Sequence, residues 1–473
     1  MVATPMNASF SGSANTNDMT SNGSIADLYE LSPMQQGMVF HSLYAPESSV
    51  YFEQRYCRLQ GALEPAYFQQ AWQAVVNHYP VLRTAFFLEE FEKPLQAVLT
   101  DVTLPWTYLE WQEVESEVQS NETFEKKLEL RLENYLEGDR TRGFALDQAP
   151  LMRCSLIQLA EEDFIFIWNH HHALMDGWCN AQLLRDVMAV YDGLLQGRQT
   201  TLDPSPAYRN YILWLQQQDI EAAQTFWKQQ LQGITSPTRF RPAPPSATQD
   251  QSSEIESISS LDNHCEYSDS LPKSVTQQLQ EGCKRHRLTL NTVVQGAWSL
   301  LLSHYGGDDQ VIFGATVSGR PPALPQVESI IGLFINTLPV CVNLSPDAEL
   351  IPWLQTLQAE QLEREQYAYS SLVDIQSWSD MPRGVSLFDS LIVFENYPIS
   401  IETALADWDS QLAISNLQGF ERTNYPLTLT VIPGDALSFR ITYDRSWWNG
   451  GNDSTPAIHQ LWGHLQTILT GFA

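Results

Sequence analysis

Short apolar runs and longer amphipathic runs alternate along the whole chain. Residues 164–168 (F-I-F-I-W) are consecutive, apolar and β-favouring, the pattern of a buried strand. From Trp178 to about Leu195, the apolar residues Leu183, Leu184, Val187, Met188, Tyr191 and Leu194 recur on one helical face, and Gly197 follows as a stop. Residues 31–40 read as a capped helix start, with Ser32 as N-cap, Pro33 at the first helical position and Gln35 closing a capping box. Further helices are predicted over about 65–78, 115–140, 272–287, 290–304 and 456–472. The helix at 115–140 carries alternating charges and reads as a solvated one. Strands are predicted at 81–87, within 96–109, twice within 150–168, and at 311–314, 337–340 and 390–394. Strands and helices alternate in both halves, so the fold class is α/β or mixed α+β.

Length and composition sharpen this picture. A chain of 473 residues exceeds one ordinary core, so two domains are expected. Residues 1–25 are rich in Ser, Asn, Thr and Gly and read as a disordered leader or linker. Residues 235–262 hold a Pro-rich and then a Ser/Gln/Glu-rich stretch, the composition of a surface excursion. The net charge is −30, from 56 acids against 26 bases, which argues against a nucleic-acid partner and against anionic membranes. No run reaches the length of a membrane span, and the N-terminus lacks the layout of a signal peptide. The six cysteines are scattered, without a C-x-x-C pair, and read as reduced cytosolic thiols.

The candidate chemistry concentrates at residues 169–178 (N-H-H-H-A-L-M-D-G-W), where the predicted strand meets the predicted helix. A histidine held there by two rigid elements can open into a cavity, and its free pKa suits proton transfer. Chance places H-H-x-x-x-D-G in roughly one chain per thousand of this length. The competing structural reading is a hydrogen-bonded core histidine pair, with Asp176 capping the next helix or forming an ion pair. His171 and His172 are adjacent, unlike a helical zinc pair, and no metal site is expected. There is no phosphate-cradling loop and no G-x-S-x-G elbow. Cys179 falls inside the predicted helix, where packing is the expected role. The expected reaction is a direct transfer assisted by one histidine, without ATP or an acyl-enzyme.

The histidine motif resembles that of the condensation domains of nonribosomal peptide synthetases, a superfamily that includes chloramphenicol acetyltransferase. Six further segments are similar to the family's landmarks. They are residues 31–40, 78–86 (H-Y-P-V-L-R-T-A-F), 208–214 (Y-R-N-Y-I-L-W), 317–320 (V-S-G-R) with 331–337 (I-G-L-F-I-N-T), 388–398 and 421–427. The resemblance implies two acetyltransferase-like lobes in a V-shaped pseudo-dimer around a central tunnel, divided at 26–200 and 201–473. It implies peptide-bond formation, in which the α-amine of an acceptor aminoacyl thioester attacks a donor aminoacyl or peptidyl thioester. Both substrates ride on the phosphopantetheine arms of donor and acceptor carrier proteins, beside adenylation and carrier domains in the cytoplasm. No cofactor bound to this chain itself is implied.

By the same resemblance, His172 accepts a proton or positions the tetrahedral centre, and His171 is structural. Asp176 orients the loop and pairs with Arg320, and the Gly177 N–H touches the reacting carbonyl. Ser318 and Asn336 face the tunnel. Arg83 is either a strand anchor or a site residue, and Trp178 is expected in the core. Residues 32–40 and 394–398 resemble those of the subtype that takes an L-configured donor. Two alternatives stand beside this reading. One is epimerisation, against which residues 418–422 (Q-G-F-E-R) depart from the expected E-G-H-G-R. The other is a silent carrier-docking platform, for which a degraded histidine motif is expected.

Overall fold

The computed structural model describes residues 24–88, 91, 93–111, 121–238, 264–396, 412–445 and 455–473. Residues 1–23 of the leader expected at 1–25 and most of the excursion expected at 235–262 lie outside these residues, while Ile25 already opens a strand. Fourteen strands are described: β1 Ile25–Glu30, β2 Phe52–Gln60, β3 Thr84–Phe87, β4 Leu95–Leu99, β5 Trp106–Glu110, β6 Met152–Ala160, β7 Asp163–His171, β8 His264–Ser270, β9 Gln310–Val317, β10 Asn336–Asn343, β11 Ser390–Phe394, β12 Ala413–Phe420, β13 Leu427–Ile432 and β14 Ser438–Asp444. They form a five-stranded sheet in the order β12-β2-β7-β6-β5, a six-stranded sheet in the order β10-β9-β11-β13-β14-β8, and a small sheet β1-β4-β3. Helices lie between the strands throughout, a mixed α/β fold.

The first sheet is built around β7, which is buried almost along its whole length. One face packs on the helices Pro65–His78 and Trp178–Leu195, with Trp72, Phe166, Trp168 and Leu183 in that core. The other face packs Ile165 and Ile167 on Leu128 and Leu136 of the helix Asn121–Arg142. A strand covered on both faces needs apolar side chains on both, which is why residues 164–168 of β7 read as a continuous run and not an alternating one. The second core joins β9, β13 and β14 to the helices Leu290–Gly306 and Thr455–Phe472.

The two cores are cross-connected. Residues Leu324 to Phe334 pack in the first core, and β12 hydrogen-bonds to β2 at the edge of the first sheet. The capping box at Ser32 and Gln35 is present, and its helix runs Pro33–Tyr44. The single strand expected at 81–87 begins as a 3-10 turn, Pro80–Arg83, because Pro80 fixes a helical φ at its start. The strand expected within 96–109 is two, β4 and β5, joined by a stretch containing Pro105.

Candidate active site

β7 ends at His171, and the chain makes one 3-10 turn, His172–Leu174, before the helix Trp178–Leu195. The turn is pinned to the start of β2 by the His172 N–H, which donates to the Tyr51 carbonyl at 2.8 Å. His172 Nδ1 lies 3.0 Å from the Met175 carbonyl. A carbonyl only accepts, so Nδ1 carries a hydrogen and the neutral ring presents the bare Nε2. That ring lines a cavity walled by both halves of the chain, including Thr316, Ser318, Thr337 and Tyr425 from the second.

The three histidines have separate surroundings. His170 is wholly buried, stacked on Trp168, and burial holds its pKa well below the ordinary value. His171 shares a 2.9 Å hydrogen bond with Ser42 and accepts from the Ala173 N–H at 3.1 Å. Burial and the neighbouring His172 push its pKa down to about 3, so it stays neutral. Burial also works against a charge on His172, but Glu53, Glu421 and the Met175 carbonyl outweigh it and lift the pKa above 6.5.

No sequence motif announces Glu53, and Glu421 opens the landmark at 421–427 without a site role assigned to it there. The register of β2 on β7 sets Phe52 opposite His171 and Glu53 opposite His170, so Glu53 lies beside the histidine turn. β12 pairs Phe420 with Gln54, which brings the following residue, Glu421, alongside Glu53. His172 Nε2 is 3.9 Å from an oxygen of each carboxylate. Burial and the charge of Glu421 push Glu53 up to about 7, against the pull of His172 and Arg55. One chosen atom from each of the three residues lies within 4.8 Å of the others. The fold thus assembles three residues of metal-binding type from distant segments, although neighbouring ligands of tetrahedral zinc sit closer, roughly 3.4 Å apart.

Asp176 borders the same cavity, but both of its carboxylate oxygens are bonded to the second half of the chain. Its Oδ1 is 3.1 Å from Arg320 Nη2, and its Oδ2 accepts from the Phe334 N–H at 2.9 Å. Arg320 also donates to the carbonyls of Val327 and Ile330, and its guanidinium lies over the Phe334 ring. Asp176 does not cap the helix behind it, whose N-cap is Gly177 without a side-chain bond. Gly177 lines the cavity with an ordinary helical φ of −59°. Cys179 is buried beside Asp176, with its thiol pushed up to about 12 by burial first and by that carboxylate next.

Trp178 and Asn336 depart from expectation, and Arg83 takes one of its two expected roles. Trp178 is only half-buried and stands on the wall between the histidine cavity and a second, more open one, which it lines together with Ser318. Asn336 is not a cavity residue: Ile335 and Thr337 line the cavity, and strand alternation turns the residue between them to the other face. Its amide there donates to the carbonyls of Ala368 and Ser370. Arg83 is a backbone anchor, donating to the carbonyls of Leu99, Val76 and Asn77, the last two at the C-terminal end of the helix Pro65–His78.

Among the described residues no helix is long and apolar enough to cross a membrane. The condensation-domain family model matches residues 25–472, and the chain belongs to that family. It is similar to a linear gramicidin synthase of Brevibacillus parabrevis, with 41% identity over 451 residues, 95% of this chain and 8% of the relative. Surfactin synthase subunit 3 of Bacillus subtilis (strain 168) is 33% identical over 422 residues, 89% of this chain and 31% of that protein. The chain therefore spans only a small part of these relatives. Its fold matches the crystal structure of the starter condensation domain of rhizomide synthetase RzmA, with a TM-score of 0.73 at 16% identity, covering 94% of this chain and 95% of that one.

Proposed function

We propose that this chain forms peptide bonds between carrier-bound thioesters. The observation that carries the reading is His172: a buried imidazole whose Nδ1–H is fixed by the Met175 carbonyl and whose Nε2 opens into the cavity. In this reading the acceptor amine attacks the donor carbonyl, and the new C–N bond leaves a cationic nitrogen beside an oxyanion. His172 Nε2 takes a proton from that nitrogen, the C–S bond breaks, and the departing sulfur is protonated. His171 and the Asp176–Arg320 pair hold the loop, Gly177 approaches the reacting carbonyl, and Trp178 and Ser318 wall the path. Residues 26–200 serve as the lobe carrying the histidine loop and 201–473 as the lobe carrying Arg320. The partners are donor and acceptor carriers and neighbouring adenylation domains in the cytoplasm, and the carriers bring the phosphopantetheine. Family membership and the synthase relatives support this assignment.

The test is incubation with separately loaded donor and acceptor carriers, followed by intact mass. A dipeptidyl acceptor is the expected product. A racemised donor without transfer would make the chain an epimerase, and neither product would leave a docking platform. We further propose an L-configured donor, on the residues present at 32–40 and 394–398. With donors of both configurations, the L form is expected to be transferred at least tenfold faster, a difference of about 1.4 kcal/mol in transition-state binding. Faster transfer of the D form overturns that choice.

A further inference from the structure

Two buried acids line the reaction cavity, and they differ in one respect. Asp176 has both oxygens bonded, whereas Glu53 Oε1 is buried without a hydrogen-bond partner. Its other oxygen is 3.6 Å from Arg55 Nη2. A bare buried acceptor is costly, and more so when charged, so the site suits a group that donates to it. Oε1 of Glu53 and Oε1 of Glu421 each lie 3.9 Å from His172 Nε2, on a ring whose free nitrogen is itself an acceptor. Three converging acceptors, two of them carboxylates, suit a compact cation with three N–H donors. At the roughly 2.8 Å of a charge-assisted hydrogen bond, a primary ammonium bridges gaps of this width.

We propose that Glu53, with Glu421 and His172, receives the acceptor's α-amine as an ammonium and takes its first proton. This rests on the peptide-bond reading above. The Glu53 carboxylate accepts one proton from R–NH₃⁺, leaving R–NH₂ at hydrogen-bond distance from His172. The nitrogen lone pair then forms the C–N bond. His172 Nε2 takes the second proton and passes it to the departing sulfur as the C–S bond breaks. Glu53 later releases its proton to solvent, so the sum is one ammonium and one thioester giving an amide, a thiol and one proton. Besides Glu421 and His172, the ionisable groups acting on Glu53 are Arg55 of its own strand and Glu395 after β11. His170 stands opposite it on β7. Burial lifts Glu53 to about 7, so its ionised form is present at neutral pH and its protonated form is accessible.

The test is the pH dependence of E53Q. A free α-amine has a pKa near 7.8, so at pH 6.5 only about one in twenty is neutral, and at pH 9 nearly all are. With an alanyl-loaded acceptor carrier, and Glu53 about one-quarter ionised at pH 6.5, E53Q is expected to fall about fivefold below wild type there. Its deficit at pH 9 is expected to be only two- to threefold. With the same carrier loaded with 2-aminooxypropionate, whose nitrogen is far less basic and arrives uncharged, the deficit is expected to be equal at both pH values. E421Q is expected to move in the same direction. Ionising a carboxylate of raised pKa costs stability above that value, so E53Q is expected to melt no lower than wild type at pH 8, separating the effect from misfolding. Parallel pH profiles for E53Q and wild type overturn the role of Glu53. So does a pH-dependent deficit with the aminooxy acceptor. A wild-type chain that makes no peptide bond overturns the peptide-bond reading itself.

Discussion

His172→Ala is expected to abolish condensation while leaving the chain folded. The ring makes one side-chain hydrogen bond, to the Met175 carbonyl, and otherwise borders the cavity, so its removal enlarges an existing space and opens no closed core. The turn keeps its backbone tie to Tyr51. The loss of a positioned proton acceptor costs about 10²- to 10⁴-fold in rate. Single-turnover transfer between preloaded carriers measures it, and a near-wild-type rate in the variant sinks the assignment. The pH dependence has a definite sign. The wild-type rate at saturating carriers is expected to rise as the imidazole loses its proton, with a midpoint above 6.5 because the surrounding carboxylates hold the charged form. Stability runs the opposite way. A histidine with a raised folded pKa contributes stability that is full below the unfolded value and is lost as pH rises through the folded one. His172→Ala is therefore expected to lower the melting temperature more at pH 6 than at pH 9, and an equal shift at both would mean that the ring is neutral throughout.

The histidine loop is legible in the sequence because its signals are local. An apolar run, a compact polar motif and an amphipathic helix follow one another between residues 164 and 195, and β7, the turn and the helix lie where that order places them. Glu53, and its meeting with Glu421, are not legible, because what brings the two acids together is register. Glu53 is an acid inside a strand whose residues alternate less cleanly than those of a surface strand, and β2 itself is not among the predicted elements. A signal exists, since residues 51–59 hold Tyr, Phe, Tyr, Cys and Leu between Pro46 and Gly61, and a lone acid within such a run invites the question of its partner. Glu421 is some 370 residues distant in sequence, and only the pairing of β12 with β2 brings it to the same point. Asn336 shows the converse. Its motif is strong, but its side chain ties the segment at Ala368 and Ser370 and does not reach the cavity. A motif identifies a neighbourhood, while strand parity decides which of its residues faces the chemistry.

Asp176→Ala is expected to damage folding more than any other single change in the loop. The Asp176 and Arg320 side chains are 1% and 4% exposed, so their 3.1 Å contact is far from solvent screening. Breaking one side of a buried ion pair costs about 3–5 kcal/mol, because the partner charge remains buried without compensation. Arg320 keeps the carbonyls of Val327 and Ile330, which share its charge but do not neutralise it. The Phe334 N–H also loses its acceptor, at a further cost of about 1–3 kcal/mol that overlaps with the first loss. Against the roughly 5–15 kcal/mol that holds an ordinary domain together, this reduces soluble yield and lowers the urea midpoint. Asp176→Asn is expected to lose less, since its amide oxygen still accepts from Phe334. The double variant Asp176→Ala, Arg320→Met is expected to recover part of the midpoint lost by Asp176→Ala alone, because it removes the stranded charge. Simple addition of the two single losses would show that the residues do not act as a pair. An unchanged midpoint in Asp176→Ala would mean that the loop is held by the backbone bonds of the histidine turn and not by the contact between the two halves.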